Sequence, residues 1–352
     1  MPQVKPHIAA MSPYSPPWTG LDRSAYLRLD LNENSLDPPD HVIRALKSCL
    51  DRKGIQMYPE YFRFLPKLAA YAQVGENQII LSNGSDQAIE IILRAFLGPG
   101  DTMLMAEPGF PIFNQVAGVI GAKVHGVPYD KELHFPCEAF LDAITADTNL
   151  VVVINPDNPT GSSLSLSRIR DILEKAGDIP VIADEAYFEY TGVTALALLS
   201  SYPNLIITRT FSKAFAMAGL RLGYAIASPE LIAEFHKIRG PFDINSCAVT
   251  AAGAQLDDPH AWKAYVVEIM QKAKPFLENF FTEKGVKYYP GAAHFMLVQP
   301  ENRDEAVAFL KEQGILVRPM TAPLIRRTFR MNAGTLEQTK KFADAYQKYL
   351  NR

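Results

Sequence analysis

Four short polar segments carry residue types that could do chemistry: Gly84-Ser85-Asp86, Asn155 to Gly161 (NPDNPTG), Asp184-Glu185-Ala186-Tyr187 and Thr210-Phe211-Ser212-Lys213. A fifth group, Arg221, stands in AGLRLGY (218–224). Gly84-Ser85-Asp86 lies between an apolar run ending near Ser82 and a helical pattern over 87–97. Free N–H groups and the helix dipole there would hold a phosphate. Ser85 or Asp86 would serve equally well as an ordinary N-cap. Asp184 closes the apolar run 180–183, and a carboxylate so placed needs a cation or its pKa rises. A protonated pyridine nitrogen would be such a cation, with Tyr187 in reach of the same ligand; an Asp that caps the next helix is the competing reading. Lys213, flanked by Thr210 and Ser212 and with Arg221 downstream, has the setting that lowers an amine's pKa and makes it a nucleophile for a carbonyl. A solvated surface lysine is the plain alternative. Taken together, a phosphate cradle, an Asn-bearing turn, an acid, a lysine and an arginine are the parts that hold pyridoxal phosphate through a Schiff base.

Those segments need elements to bring them together. Short apolar runs at 78–82, 102–106, 123–127, 150–155, 180–183, 205–208 and 222–226 alternate with helical patterns. That is the layout of βαβ units in a mostly parallel sheet whose faces are both covered. In such a sheet ligands bind at the carboxyl ends of the strands, where most of the polar segments fall; Arg221 precedes its strand instead. After about residue 244 the text shifts to helix over 247–284, broken near Pro259. Strand candidates 293–299 and 328–332 follow, with helices 303–313 and 336–349, as in a smaller α+β unit. The first thirty residues are rich in proline (Pro2, Pro6, Pro13, Pro16, Pro17) and read as an arm lying on something else. The division expected is 1–39 arm, contributing to the small domain and substrate side, 40–244 large cofactor-binding domain, and 245–352 small domain.

The 352 residues are 48% hydrophobic and 21% charged, a globular composition with a net charge of -3. No basic surface for nucleic acid and no apolar run long enough for a membrane span is evident, and the N-terminus has no signal-peptide core. Three spaced cysteines (Cys49, Cys137, Cys247) suggest neither a disulfide framework nor a metal centre. A soluble cytoplasmic protein is expected.

NGSDQAIEIILRAFLGPGD (83–101), NPDNPTG, DEAYFEY (184–190) and TRTFSKAFAMAGLRLGY (208–224) resemble the fold-type I pyridoxal-phosphate aminotransferases. The likeness is strongest to the histidinol-phosphate aminotransferase branch. LDLNENSLDPP (29–39), GILVRP (314–319) and FRMNAGTLEQTKKF (329–342) look like that branch's terminal motifs. The resemblance implies an α/β fold with a large cofactor domain and a smaller α+β domain. It implies ping-pong transfer between an amino donor and a 2-oxo acid, with glutamate/2-oxoglutarate as one pair and histidine biosynthesis as the setting. Lys213 would form the Schiff base and carry the proton, Asp184 would pair with the pyridine nitrogen, and Asn158 and Tyr187 would bond the ring oxygen. Phe110 would stack on the ring, while Gly84, Ser85, Asp86, Thr210, Ser212 and Arg221 would hold the phosphate. Tyr58 would reach the phosphate of a neighbouring subunit, which requires a homodimer. Arg330 would bind an α-carboxylate, and Tyr14 and Asn34 would line the substrate side.

Departures from the branch touch the substrate side. NENSLDPP replaces a NENPFGPP-like motif, Met57 stands where an arginine often precedes the tyrosine, and His294 stands where an Asn often precedes the phenylalanine. His294 reads as a core or interface histidine, or as a substrate contact. An aromatic or broad-specificity aminotransferase, an offshoot doing decarboxylation or cyclisation, and a binding scaffold without catalysis are the competing readings. Arg318 and the pair Arg326-Arg327 could supply a second anion site for a substrate phosphate or be plain surface charge, the reading preferred for the pair, with Arg318 open between the two.

Overall fold

The computed structural model describes residues 2–15, 17–51 and 55–352, so Pro16 of the arm lies outside them. β1 (Leu27–Arg28) belongs to the arm. β2 (Ile79–Ser82), β3 (Thr102–Glu107), β4 (Lys123–Pro128), β5 (Leu150–Ile154), β6 (Val181–Asp184), β7 (Leu205–Thr210) and β8 (Gly223–Ile226) form one sheet in the order β2-β8-β7-β6-β5-β3-β4. β8 runs antiparallel to β2 and β7, and the other neighbours are parallel.

Strand period and burial explain the apolar runs. Along β3 and β5 successive side chains enter opposite cores. Leu104, Val151 and Val153 pack towards the helix Leu166–Ala176, while Met103, Met105, Val152 and Ile154 pack towards the helices Gly84–Phe96 and Pro111–Ile120. With helices on both faces, β5 is buried at every position.

Two features set the carboxyl edge of this sheet. β8 runs backwards, so its first residue, Gly223, pairs with Ser82 and with Thr210. Arg221, two residues earlier, therefore sits at the same edge as the strand ends. The helix Gly84–Phe96 also starts there. Helices beginning after Ser165, Ser228, Asn245, Asn302 and Thr335 carry side-chain caps, but Asn83 makes no side-chain cap bond. Its first-turn N–H groups, which have no intrahelical acceptors, stay open to a ligand.

The chain beyond the helix Ser246–Asp257 builds a second sheet. Asp258 and Pro259 interrupt the helical stretch, which resumes at His260 and passes through a π-helical turn, Ile269–Ala273, before ending at Glu283. β9 (Lys287–Tyr289), β10 (Phe295–Gln299), β11 (Ile315–Leu316), β12 (Arg318–Pro319) and β13 (Phe329–Asn332) follow. Four of them form an antiparallel sheet, β12-β13-β10-β9, and β11 pairs in parallel with β1 of the arm. The arm thus pairs with the chain's last third from Leu27 on, in a two-stranded sheet separate from the four-stranded one. Its first turn, Pro6–Ala9, lies on the helix Pro111–Ile120 instead.

The two sheets meet at the NPDNPTG loop. Ala292 N donates to Gly161 O at 2.7 Å, and Gly161 has φ +76°. A Cβ there would come within 2.7 Å of Gly291 Cα, so only glycine permits this backbone approach. Among the described residues no helix is long and apolar enough to cross a membrane, and no His/Cys/Asp/Glu group is arranged to hold a metal ion.

Candidate active site

A cavity of about 310 Å³ opens at the carboxyl edge of the large sheet. Ser85, Asp86, Phe110, Asn158, Asp184, Tyr187, Thr210, Ser212, Lys213 and Arg221 all line it. They come from six separate stretches of sequence, gathered because each ends or follows a strand of the large sheet or, for Arg221, precedes the reversed one.

At one end of the cavity is a cationic cradle. Arg221, with φ 56°, bends back so that Nη2 donates to Asp86 Oδ2 at 3.0 Å and Nη1 to Ser212 Oγ at 3.5 Å. Ser212 Oγ also accepts from Thr210 Oγ1 at 2.9 Å. A Cβ on Gly84, whose φ is +75°, would lie 2.5 Å from Arg221 Nη2, so the arginine fits because position 84 has no side chain. The Asp86 carboxylate holds the arginine. Its backbone N–H, with that of Ser85, is what a bound anion would meet.

The floor is made by Asp184 and the wall by Lys213. Asp184 is buried and accepts one backbone bond, from Ala186 N at 3.0 Å. Burial, with added repulsion from Asp86, raises its pKa to about 7. Lys213 Nζ donates to Leu31 O at 3.1 Å, and burial, helped by Arg330, lowers its pKa to about 8. A substantial share of neutral amine therefore exists at mild alkaline pH.

Asn158 and Tyr187 form the side towards the small sheet, and Arg330, buried behind Asn158, lies outside the lining. Arg330 Nη1 donates to Asn158 Oδ1, and Nη2 donates to Asp30 O at 2.9 Å. Burial pushes the guanidinium down to about 10. The Tyr187 hydroxyl accepts from Asn32 Nδ2 at 3.0 Å, and burial raises it to about 12. Asp157 supports the same loop: Oδ2 accepts from Thr160 N at 3.1 Å and Thr160 Oγ1 at 2.6 Å, and burial raises this acid to about 7.

Other expected residues lie outside the cavity lining. Tyr58 is exposed and stacks on Phe242 at 4.2 Å, part of a surface that also bears Ile55, Met57 and Phe62. Tyr14 accepts from Arg318 Nη2 at 2.8 Å at the outer rim. Asn34, expected on the substrate side, instead turns its amide inward: Nδ2 donates to Ala214 O and Oδ1 accepts from Leu36 N, both at 2.9 Å. Its neighbour Glu33 takes the place at the cavity, held by Arg23 at 2.7 Å. His294 is buried away from the lining, stacked on Tyr190 at 4.0 Å. Leu31 and Glu33, which line the cavity, and Asn32, which bonds Tyr187 from behind it, escape strand-end logic because they belong to an arm with no strand signal. The LDLNENS motif was the one pointer to them.

The expected pyridoxal phosphate fits this donor set. The cradle would take its phosphate, the unpaired buried Asp184 its ring cation, the Lys213 amine its carbonyl, and Phe110 and Ala186 its faces.

Residues 24–345 match the family model of aminotransferase class I and II. A histidinol-phosphate aminotransferase of Geobacillus sp. (strain WCH70) is 36% identical, covering 99% of this chain and 98% of the relative. Another from Dechloromonas aromatica is 33% identical over 99% of each. Among solved structures, the histidinol-phosphate aminotransferase of Sinorhizobium meliloti in complex with pyridoxal-5'-phosphate superposes with a TM-score of 0.89 at 24% identity, over 100% of this chain and 98% of the other. A Thermus thermophilus aspartate aminotransferase double mutant superposes with a TM-score of 0.83 at 22% identity, over 99% and 100%.

Proposed function

The chain belongs to the class I and II aminotransferases, and from that premise we propose that it transfers the amino group of histidinol phosphate to 2-oxoglutarate in histidine biosynthesis. It would do so in the cytoplasm, as a homodimer with pyridoxal 5'-phosphate as cofactor. In this reading 40–244 holds the cofactor, 245–352 is the smaller unit, and Tyr58 serves the partner's site from the exposed apolar surface around Phe242.

One observation carries the substrate assignment. Arg318 and Arg330 are register partners on β12 and β13, so the two arginines leave the small sheet on the same face. Arg330 is lowered partly by the charge of Arg318. Neither forms an ion pair with a carboxylate among the described residues; Arg318 bonds Tyr14, and Arg330 bonds Asn158 and a backbone carbonyl. Two arginines so placed, neither neutralised by an acid, would suit a doubly charged anion, and a phosphate ester supplies one. Relatives named for the same activity match over nearly the full chain.

When bound, pyridoxal phosphate supplies an electron-withdrawing ring that stabilises negative charge at the substrate's α-carbon. Lys213 Nζ, buried and partly neutral, takes the proton from that carbon and returns it on the other side of the transfer. Asp184 keeps its negative charge only against a cation, so it holds the ring nitrogen protonated. Tyr187 and Asn158 orient the ring oxygen, and Arg221, Ser212, Thr210 and the N–H groups of Ser85 and Asp86 anchor the phosphate. Arg330 and Arg318 seat the substrate's anion, a phosphate in one half-reaction and a carboxylate in the other.

A single-turnover assay tests the reading. Purified holoenzyme mixed with histidinol phosphate should lose its visible band rapidly, and free phenylalanine, tyrosine or histidine should act at least tenfold more slowly. Equal bleaching by a free aromatic amino acid would favour a broad-specificity enzyme. Release of carbon dioxide without an oxo product would favour the offshoot chemistry.

A further inference from the structure

Lys274 is a buried cation that the mechanism does not use. It is 7% exposed, opens the helix Lys274–Glu283 directly after the π-helical turn Ile269–Ala273, and burial lowers its pKa. Its Nζ donates to Gly291 O at 2.6 Å and lies 3.5 Å from Glu278 Oε1. Withdrawing an ammonium from water is costly, and a position that only packed a helix would be filled by Leu or Met without that cost. π-Helical turns of this kind are frequent at functional sites. The donor is aimed at one carbonyl, in the turn between β9 and β10.

That turn is where the small sheet touches the cofactor loop. Gly291 has φ +59°, and a Cβ there would lie 2.8 Å from Gly161 Cα, so the two backbones are in contact. The next residue donates from Ala292 N to Gly161 O at 2.7 Å. The loop is braced internally: Gly161 N donates to Asp157 O at 2.9 Å, Asp157 N to Ser162 O at 2.8 Å, and Thr160 N and Oγ1 both donate to Asp157 Oδ2. A second attachment lies three residues before Gly161, where Arg330 Nη1 donates to Asn158 Oδ1. Arg330 stands on β13 opposite Leu297 of β10, the strand that the Gly291 turn leads into. One sheet is thus fastened at two points to one braced stretch of loop, 158–161, and a shift of the Gly291 turn carries Arg330 with it.

We propose that Lys274 is a positioning residue for substrate binding: by holding Gly291 O it fixes the seat of the small sheet on the 157–161 loop, and so the placement of Arg330 beside Asn158. This rests on the reading of Arg330 as the anchor of the substrate's anion. Lys274 itself does not line the cavity and acts through the Gly291 turn and β10.

The test is the half-reaction of the holoenzyme with glutamate, followed as loss of the visible band over a range of glutamate concentrations. Lys274→Met keeps an unbranched chain but has no donor. Its half-saturating concentration should rise about 5–20-fold while the limiting rate stays within about threefold of wild type, because binding is disturbed and the chemical step is not. Lys274→Arg can donate to the same carbonyl and should bring half-saturation back within about twofold of wild type. If Lys274→Met lowers the melting temperature but leaves half-saturation unchanged, the residue only supports the fold and the proposal fails. Equal weakening by both substitutions overturns it too, since the donor to Gly291 is then not what matters. Gly291→Ala, with Lys274 intact, gives a second route should Lys274→Met not fold. Its Cβ pushes the turn off Gly161 and should raise half-saturation in the same way; no change overturns the proposal. Arg330→Gln checks the underlying reading by itself: wild-type half-saturation in that variant refutes the anchor first, a distinct signature, and this inference with it.

Discussion

Asp184 and Glu185 are consecutive acids at the end of β6, both 2% exposed, and their surroundings are opposite. Glu185 Oε2 accepts from Arg209 Nε at 3.0 Å, from Arg209 Nη2 at 2.9 Å and from Thr194 Oγ1 at 2.8 Å, and Oε1 accepts from Ala195 N at 2.6 Å. Arg209 in turn lies over the Phe188 ring at 3.8 Å. Asp184 has the Ala186 N–H and no ion pair among the described residues. Alternation at the strand end sends one carboxylate into the core and the other into the cavity. The core acid is satisfied by the fold, as a buried charge must be to avoid a large desolvation cost. The cavity acid is left short of a cation, which is the state expected of a group whose partner arrives with a ligand.

Substitutions that touch one member of this contrast should separate binding from folding. Lys213→Ala, beside Asp184, should abolish the visible band and lower transamination by more than about 10⁴-fold. The unfolding free energy of the cofactor-free chain should stay within about 1 kcal/mol of wild type, since a desolvated amine is removed. Survival of the band would break the assignment of Lys213. Glu185→Ala should act the other way, costing about 3–5 kcal/mol in denaturant unfolding because Arg209 is left as an unpaired buried charge. Wild-type stability in that variant would mean the core pair is not structural. At the substrate rim, Arg318→Ala should lower kcat/KM for histidinol phosphate by roughly 10–100-fold, the scale of one hydrogen bond to a charged group. Glutamate, which Arg330 can hold by its carboxylate, should lose much less; equal losses would assign Arg318 to general electrostatics.

The large sheet was legible because buried parallel strands write continuous apolar runs, and each observed strand ends within two residues of its run. The cavity wall was legible for the same reason, since most of its residues hang on those strand ends. What the sequence hid is non-local. β1, β11 and β12 have two residues each, too short for any periodicity. Asn32 meets Tyr187 across 155 positions, and the opposition of Arg318 to Arg330 exists only in the register of β12 and β13. Asn34 was assigned by motif to the substrate side, yet alternation along the arm points it inward and gives the cavity to Glu33. The pairing of Glu185 with Arg209 was equally invisible: the strand end marked Asp184, but nothing in DEAYFEY showed what its neighbour Glu185 is for.

The most direct measurement is denaturant unfolding of the cofactor-free chain at pH 8, wild type beside Asp184→Asn. Asp184 has a folded pKa of about 7 against an ordinary value of 3.8. Between those values the folded chain binds the extra proton, so stability falls as pH rises, and the deficit is complete above pH 7. Asparagine keeps the Ala186 bond without the charge. The variant should therefore be more stable than wild type by about 1–3 kcal/mol at pH 8, with the advantage gone near pH 4 and with weaker binding of pyridoxal phosphate. A variant less stable than wild type at pH 8 would mean that Asp184, like Glu185, is held by the fold itself, and would contradict the account.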